Sequence, residues 1–193
     1  FFNEKELQFN TYVQSENLFL QPIPDTPVWG DSDNDAGRAK YPGHTFHEYY
    51  VDETGVLEKF VNLQLREVPN TNGQSYTAFV DNDPATKRTI LADMFQYNYG
   101  DGSSFQYRIS KSDGSTIYLA DTNFNPIVDI KTGYVTFFKD ADTLVANGVS
   151  ADLPPKMTFV RYCGRKGLDF SNLDEDIGIQ KSLIVDGSVN FLN

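Results

Sequence analysis

The sequence predicts an all-β chain: an antiparallel β-sandwich, jelly-roll-like, with an irregular N-terminal arm and the start of a β-stalk at its C-terminal end. Three observations carry that expectation. Short runs of alternating apolar and polar residues recur about every ten residues between 45 and 165, the spacing of a strand-turn-strand chain. Asp-Gly and Lys-Thr-Gly turns separate the clearest runs. Only one stretch, Ala85 to Met94, has room for a helical turn or two, with Pro84 placed to start it.

In chain order, residues 1–40 read as an arm. Phe1, Phe2, Leu7, Phe9, Tyr12, Val13, Leu18, Phe19 and Leu20 are apolar without a sustained helical or strand period. Pro22, Pro24 and Pro27 then block regular pairing. Gly30 to Gly37 reads as a polar loop rich in aspartate, and the whole arm as an extension that packs against something else, such as a neighbouring subunit. The sandwich is expected over 41–167. Pro42-Gly43 followed by Tyr49-Tyr50-Val51 marks a strand entry, and weaker strands are read at Glu58 to Arg66, Ser75 to Val80 and Ile127 to Ile130.

The strongest hairpin surrounds Ser112-Asp113-Gly114-Ser115. Before it Phe105, Tyr107 and Ile109 share one face; after it Ile117 and Leu119 face one side, Thr116 and Tyr118 the other. Tyr134 to Phe138 forms a strand opened by Lys131-Thr132-Gly133, and Met157 to Tyr162 another, entered from Pro154-Pro155 and closed by Gly164. Residues 168–181 are acidic and polar, a linker. Residues 182–193 are two very short strands about Asp186-Gly187, with Leu183, Val185, Val189 and Phe191 at inward spacing. A hairpin this short cannot bury its own face, so it needs a domain to lie on or identical copies beside it.

Composition narrows the function classes. Sixteen Lys+Arg against twenty-seven Asp+Glu leave a formal charge of −11 over 193 residues. That balance offers no basic stripe to release counterions from phosphates, so nucleic acid is not an expected partner. Aromatics reach 14% and charged residues only 22%, unlike a disordered chain. No run of about 18 apolar residues exists, so no helix is expected to cross a membrane. One cysteine, Cys163, permits no intrachain disulfide and reads as a buried apolar residue. A chain that opens on Phe1 without an initiator Met or signal peptide, and stops at Asn193 in mid-pattern, reads as a piece of something longer.

The chemistry-bearing patterns are weak. Asp31, Asp33 and Asp35 alternate as in a cation-wrapping loop, but an EF-hand wants Gly and Glu where Ala36 and Pro42 stand. A solvated acidic turn is the preferred reading, and no cofactor or metal is expected. Asp81-Asn82-Asp83-Pro84 reads as a turn. His44 and His47 lack the i, i+4 spacing of a zinc helix, and on a strand they would face opposite sides. Arg161, Arg165 and Lys166 form the one basic cluster, read as a salt-bridging rim. Trp29, the sole tryptophan, sits among prolines as an anchor. No nucleophile-elbow or phosphate-loop motif occurs, so no catalytic residue is expected; the ligand-binding residues are not legible.

Three segments carry a resemblance. Asp129-Ile130-Lys131-Thr132-Gly133-Tyr134-Val135-Thr136-Phe137-Phe138 is followed by Pro154-Pro155-Lys156-Met157-Thr158-Phe159 and then by Arg161-Tyr162-Cys163-Gly164-Arg165-Lys166-Gly167. In this order they resemble a module of fibre-like surface proteins of large double-stranded DNA viruses. Residues 182–193 look like one unit of the short repeats that follow it, similar to fibre shafts of trimeric β-structure. The resemblance implies a non-enzymatic structural protein on the virion surface: a homotrimer with a β-sandwich head and a shaft, in contact with other virion proteins and with a host-surface glycan or protein. Phe137 and Phe159 would anchor the architecture, and Leu183, Val185, Val189 and Phe191 the seam. The alternative is a carbohydrate-binding or glycan-depolymerising module, which needs exposed aromatic platforms and, for hydrolysis, a carboxylate pair across a groove.

Overall fold

The computed structural model describes residues 19, 21–79, 89–100, 103–139, 141–146 and 148–165. The expected hairpin at 182–193 and the Asp81-Pro84 turn lie outside the described residues. Residues Gln21–Arg165 belong to one compact unit. Its strands are β1 (Glu48–Val51), β2 (Leu57–Gln64), β3 (Arg66–Glu67), β4 (Ser75–Thr77), β5 (Arg108–Ser110), β6 (Thr116–Ile117), β7 (Pro126–Asp129), β8 (Tyr134–Phe137) and β9 (Lys156–Tyr162). They form two sheets, one ordered β1-β2-β9-β5-β6 and the other β3-β4-β8-β7. All of the strand pairs are antiparallel. Among the described residues, helix is confined to α1 (Asn34–Lys40), α2 (Ala141–Ala146) and the 3₁₀ turns Ile90–Asp93 and Val149–Asp152, so the described unit is mostly sheet, consistent with all-β.

Both sheets feed one hydrophobic core. Phe60, Leu63, Met157, Phe159 and Ile109 come from the five-stranded sheet, and Tyr76, Val135 and Phe137 from the four-stranded one. Phe60 stacks on Phe159 with centroids 5.3 Å apart at 20°, and Phe137 meets Tyr76 and Phe124 edge-on. The alternation expected of β8 holds, since Val135 and Phe137 are buried while Tyr134 and Thr136 are half-buried.

The long strand expected over Glu58 to Arg66 is interrupted. β2 ends at Gln64, Leu65 turns the corner with its N–H donated to the Pro155 carbonyl, and β3 continues in the other sheet. A bulge also interrupts β2. Phe60 pairs with Phe159 and Leu63 with Met157, so three steps on β2 match two on β9. The extra residue is what lets Phe60 and Leu63, at odd spacing, both reach the core. Asn62 absorbs it in the left-handed region, φ 51°, and its N–H donates to Thr158 Oγ1 at 3.0 Å. Asn62→Val is therefore expected to cost about 1–2 kcal/mol, because a β-branched side chain is strained there. Asn62→Gly should be nearly neutral to the backbone; urea midpoints of the two variants check the contrast.

The aspartate-rich stretch is not a loop throughout. Asn34–Lys40 is helical, with Asp33 as N-cap accepting from the Ala36 N–H at 2.9 Å and with Arg38 and Lys40 in the last turn. Gly37 lies so close to Phe46 and Tyr49 that an added Cβ would fall 2.7 Å from Tyr49 Cγ. Tertiary packing of a glycine face, rather than intrinsic propensity, holds this two-turn helix. Trp29 bridges to Asp52, and Gly30 and Asp33 bond to carbonyls of β1, so residues 29–40 dock on the first sheet.

Candidate functional site

Two clusters of polar and aromatic side chains concentrate the chemistry. The first is buried. Glu58 on β2 shares a face with Phe60, and its side chain has no exposed surface. Oε1 accepts from Lys40 Nζ of α1 and from the Tyr49 hydroxyl at 2.7 Å, and Oε2 accepts from the Tyr41 hydroxyl at 2.7 Å. Its cross-strand neighbour Arg161 brings Nε to 3.8 Å from Oε2 and donates from Nη2 to Asp93 at 3.1 Å. Both cations also face the Tyr41 ring, at 5.6 and 5.9 Å.

Burial alone would raise the Glu58 pKa. The hydrogen bonds from Lys40, Tyr49 and Tyr41 and the charge of Arg161 outweigh it, so the carboxyl is held below its ordinary range. Burial pushes the Tyr41 and Tyr49 hydroxyls up, and the Glu58 carboxylate adds to that. Glu58 is thus a locked anion whose oxygens are already engaged, which suits it to architecture rather than proton transfer. Cys163 beside it is half-buried instead of fully buried, and burial pushes its thiol up to about 11. The thiol remains protonated at neutral pH and points to the Gly55 carbonyl at 3.5 Å.

The second cluster is open. β6 is the outer strand of the five-stranded sheet among the described residues. Residues of β5 and β6 border a cleft of about 320 Å³, lined by Tyr97, Ser103, Gln106, Tyr107, Arg108, Ile109, Thr116, Ile117, Tyr118 and Leu119. Its walls follow from the strand period: Ile109 and Ile117, paired across β5 and β6, point inward. Tyr118, the next residue, is 71% exposed. The strand ends at Ile117, so Leu119, expected to face with it, is exposed as well. Tyr97 meets Tyr107 edge-on, centroids 5.3 Å apart at 72°. Phe95, Tyr99 and Phe105 form a second aromatic group with centroids 4.6–5.0 Å apart. Arg108 Nη2 donates to Asn62 Oδ1 at 3.4 Å, tying the cleft's one guanidinium to the β2 bulge.

A second cleft, about 390 Å³, lies at the Leu65 corner. Its charged residues are committed elsewhere: Arg66 donates to the Gly43 carbonyl, and Glu67 accepts from the Gly73 N–H, both at 2.7 Å.

The residues singled out from sequence scatter. His44 is buried and His47 exposed, the latter 3.8 Å from Glu48. Asp33 caps α1 and Asp35 pairs with Arg38 at 3.1 Å. No group of three or more His, Cys, Asp or Glu that could hold a metal ion occurs among the described residues. Trp29 is half-buried and its ring lies 5.6 Å from Lys59 Nζ. Arg161 joins an internal salt-bridge network, and Arg165 N–H donates to Gln21 Oε1 at 2.8 Å. No described helix is long and apolar enough to cross a membrane. Sequence reasoning placed Tyr107 and Tyr118 on strand faces but did not join them to Tyr97. No family model, no curated protein and no solved structure matches this chain.

Proposed function

We propose that the chain is a non-enzymatic structural protein of a virion surface, a β-sandwich head on a trimeric fibre that contacts a host surface. The observation that carries the recognition role is the pair of exposed tyrosines, Tyr97 and Tyr118, which with Leu119 line one cleft of an acidic chain. Tyrosine gives large rigid contact area at low entropic cost, which is why binding surfaces use it. Two antiparallel sheets that share one core are compatible with a sandwich head. Among the described residues the cleft lining contains no Asp or Glu, which favours binding over glycoside hydrolysis. The virion and fibre assignments rest on the resemblance of residues 129–167 and 182–193.

The test is molar mass in solution. Light scattering on the full chain should give about three times the chain mass of 21.8 kDa. Val185→Asp combined with Val189→Asp should reduce it to one chain mass and leave the thermal transition of the sheet domain in place, because the repeat buries its face only between copies. A monomer for the unaltered chain removes the fibre reading. An unchanged trimer for the double variant removes that segment from the interface.

A further inference from the structure

We infer that the Tyr97–Tyr107–Tyr118 cleft is a binding site for an uncharged pyranose oligosaccharide, with Tyr118 and Tyr97 as stacking platforms and Arg108, Gln106 and Ser103 as hydroxyl partners. The inference rests on the reading of the chain as a recognition head and names the ligand class of its exposed edge.

A pyranose is amphipathic: one face presents C–H groups and the rim presents hydroxyls that both donate and accept. The cleft has the same division. Tyr118 offers a solvent-exposed ring, and Tyr97 is fixed by its edge-on contact with the half-buried Tyr107. Around them stand a guanidinium with several donors, an amide that donates and accepts, and two hydroxyls, from Ser103 and Thr116. Arg108 lines the cleft, and only one of its nitrogens has a side-chain partner there, donating to Asn62 Oδ1 at 3.4 Å, which leaves further guanidinium donors for a ligand. A volume of about 320 Å³ lies at the small end of ligand sites, suited to one or two sugar rings of a longer chain passing over an open edge.

Charge separates this class from its rivals. Among the described residues the lining has one positive group and no carboxylate, within a chain of net charge −11. A polyanion would be repelled by the surrounding field. A wholly apolar peptide would strip water from Arg108 and Gln106 without giving hydrogen bonds in return.

The experiment titrates the full chain with lactose, maltotriose, triacetylchitotriose and sialyllactose, each to about 10 mM, with saturation-transfer NMR as readout and light scattering on the same samples; weak millimolar binding is the range expected for so few ligand atoms. At least one neutral sugar should bind. Tyr118→Ala and Tyr97→Ala should each weaken it about tenfold, whereas Tyr118→Phe, which keeps the ring, should stay within about threefold. Tyr118→Ala is expected to melt with the unaltered chain, since the ring is mostly exposed. Absence of binding by every neutral sugar, binding indifferent to both alanine variants, or a preference for sialyllactose over lactose each overturns the assignment. A trimer that binds no sugar leaves the fibre-head reading standing without its ligand. A monomer that binds sugar through Tyr118 leaves the site standing without the fibre.

Discussion

Replacing Glu58 by alanine is expected to lower the unfolding free energy by about 3–5 kcal/mol, the range seen when one partner of a buried ion pair is removed. The loss has three parts. Arg161, only 12% exposed, keeps Asp93 but loses the second carboxylate. The buried Tyr41 and Tyr49 hydroxyls lose their acceptor. Lys40 no longer ties α1 to β2. Since whole domains are stable by only about 5–15 kcal/mol, the variant should unfold at much lower urea, and the α1 segment should become protease-sensitive. Glu58→Gln keeps the shape and one acceptor, so its deficit should be smaller and due to charge. It also exposes the pH linkage. The folded pKa of Glu58 lies below its ordinary value of 4.5, so its contribution is complete above the unfolded-state pKa and is lost as pH falls through the folded one. Unfolding free energy measured from pH 6 down to about pH 3 should fall less steeply in Glu58→Gln than in the unaltered chain. Parallel curves would show that Glu58 is not the linked group.

Gly133→Ala is expected to cost about 2–5 kcal/mol, against about 1–2 kcal/mol for Gly114→Ala. Both glycines have positive φ, 74° and 94°, so the backbone strain is shared. Their surroundings differ. A Cβ at Gly114 meets nothing within 4 Å, while one at Gly133 would sit 2.2 Å from Thr89 Cγ2 and 2.9 Å from the Ala92 backbone nitrogen. The Gly133 carbonyl also accepts from the Thr77 hydroxyl, which is bonded in turn to Thr89 at 2.7 Å. The β7–β8 turn is therefore pressed onto the Ile90–Asp93 turn, and neither can retreat without breaking buried bonds. Equal urea midpoints for the two variants would mean that the contact gives way freely.

Local chemistry explains what could be read in advance. The hairpin at Asp113-Gly114 was legible because Asp113 caps its own turn, accepting from the Ser115 N–H at 2.8 Å. Asp129 does the same for Lys131 and Thr132 before β8. β8 and β9 carry enough alternating aromatics to be recognised alone. Helix α1 was not legible: its residues are turn formers, and its packing needs Gly37 against Tyr49, a partner on another element. The sheet change at Leu65 and the Asn62 bulge were hidden for a related reason, since a register is a property of two strands and the pattern of one does not contain it.

The candidate site divides along the same line. The sequence by itself determined the all-β class, the turn-bounded strands of the second half, the acid excess and the placing of Tyr118 on the side opposite Ile117. Those follow from residue identity and a two-residue period, which act over a few positions. Only the tertiary structure decided that Glu58, read from sequence only as the start of a weaker strand, is enclosed by Lys40, Tyr41, Tyr49 and Arg161. It alone brings Tyr97 and Tyr107 beside Tyr118 to line one cleft. Burial of a charge and convergence of rings from separate segments depend on which chain segments meet in space, and no spacing along the chain encodes that meeting.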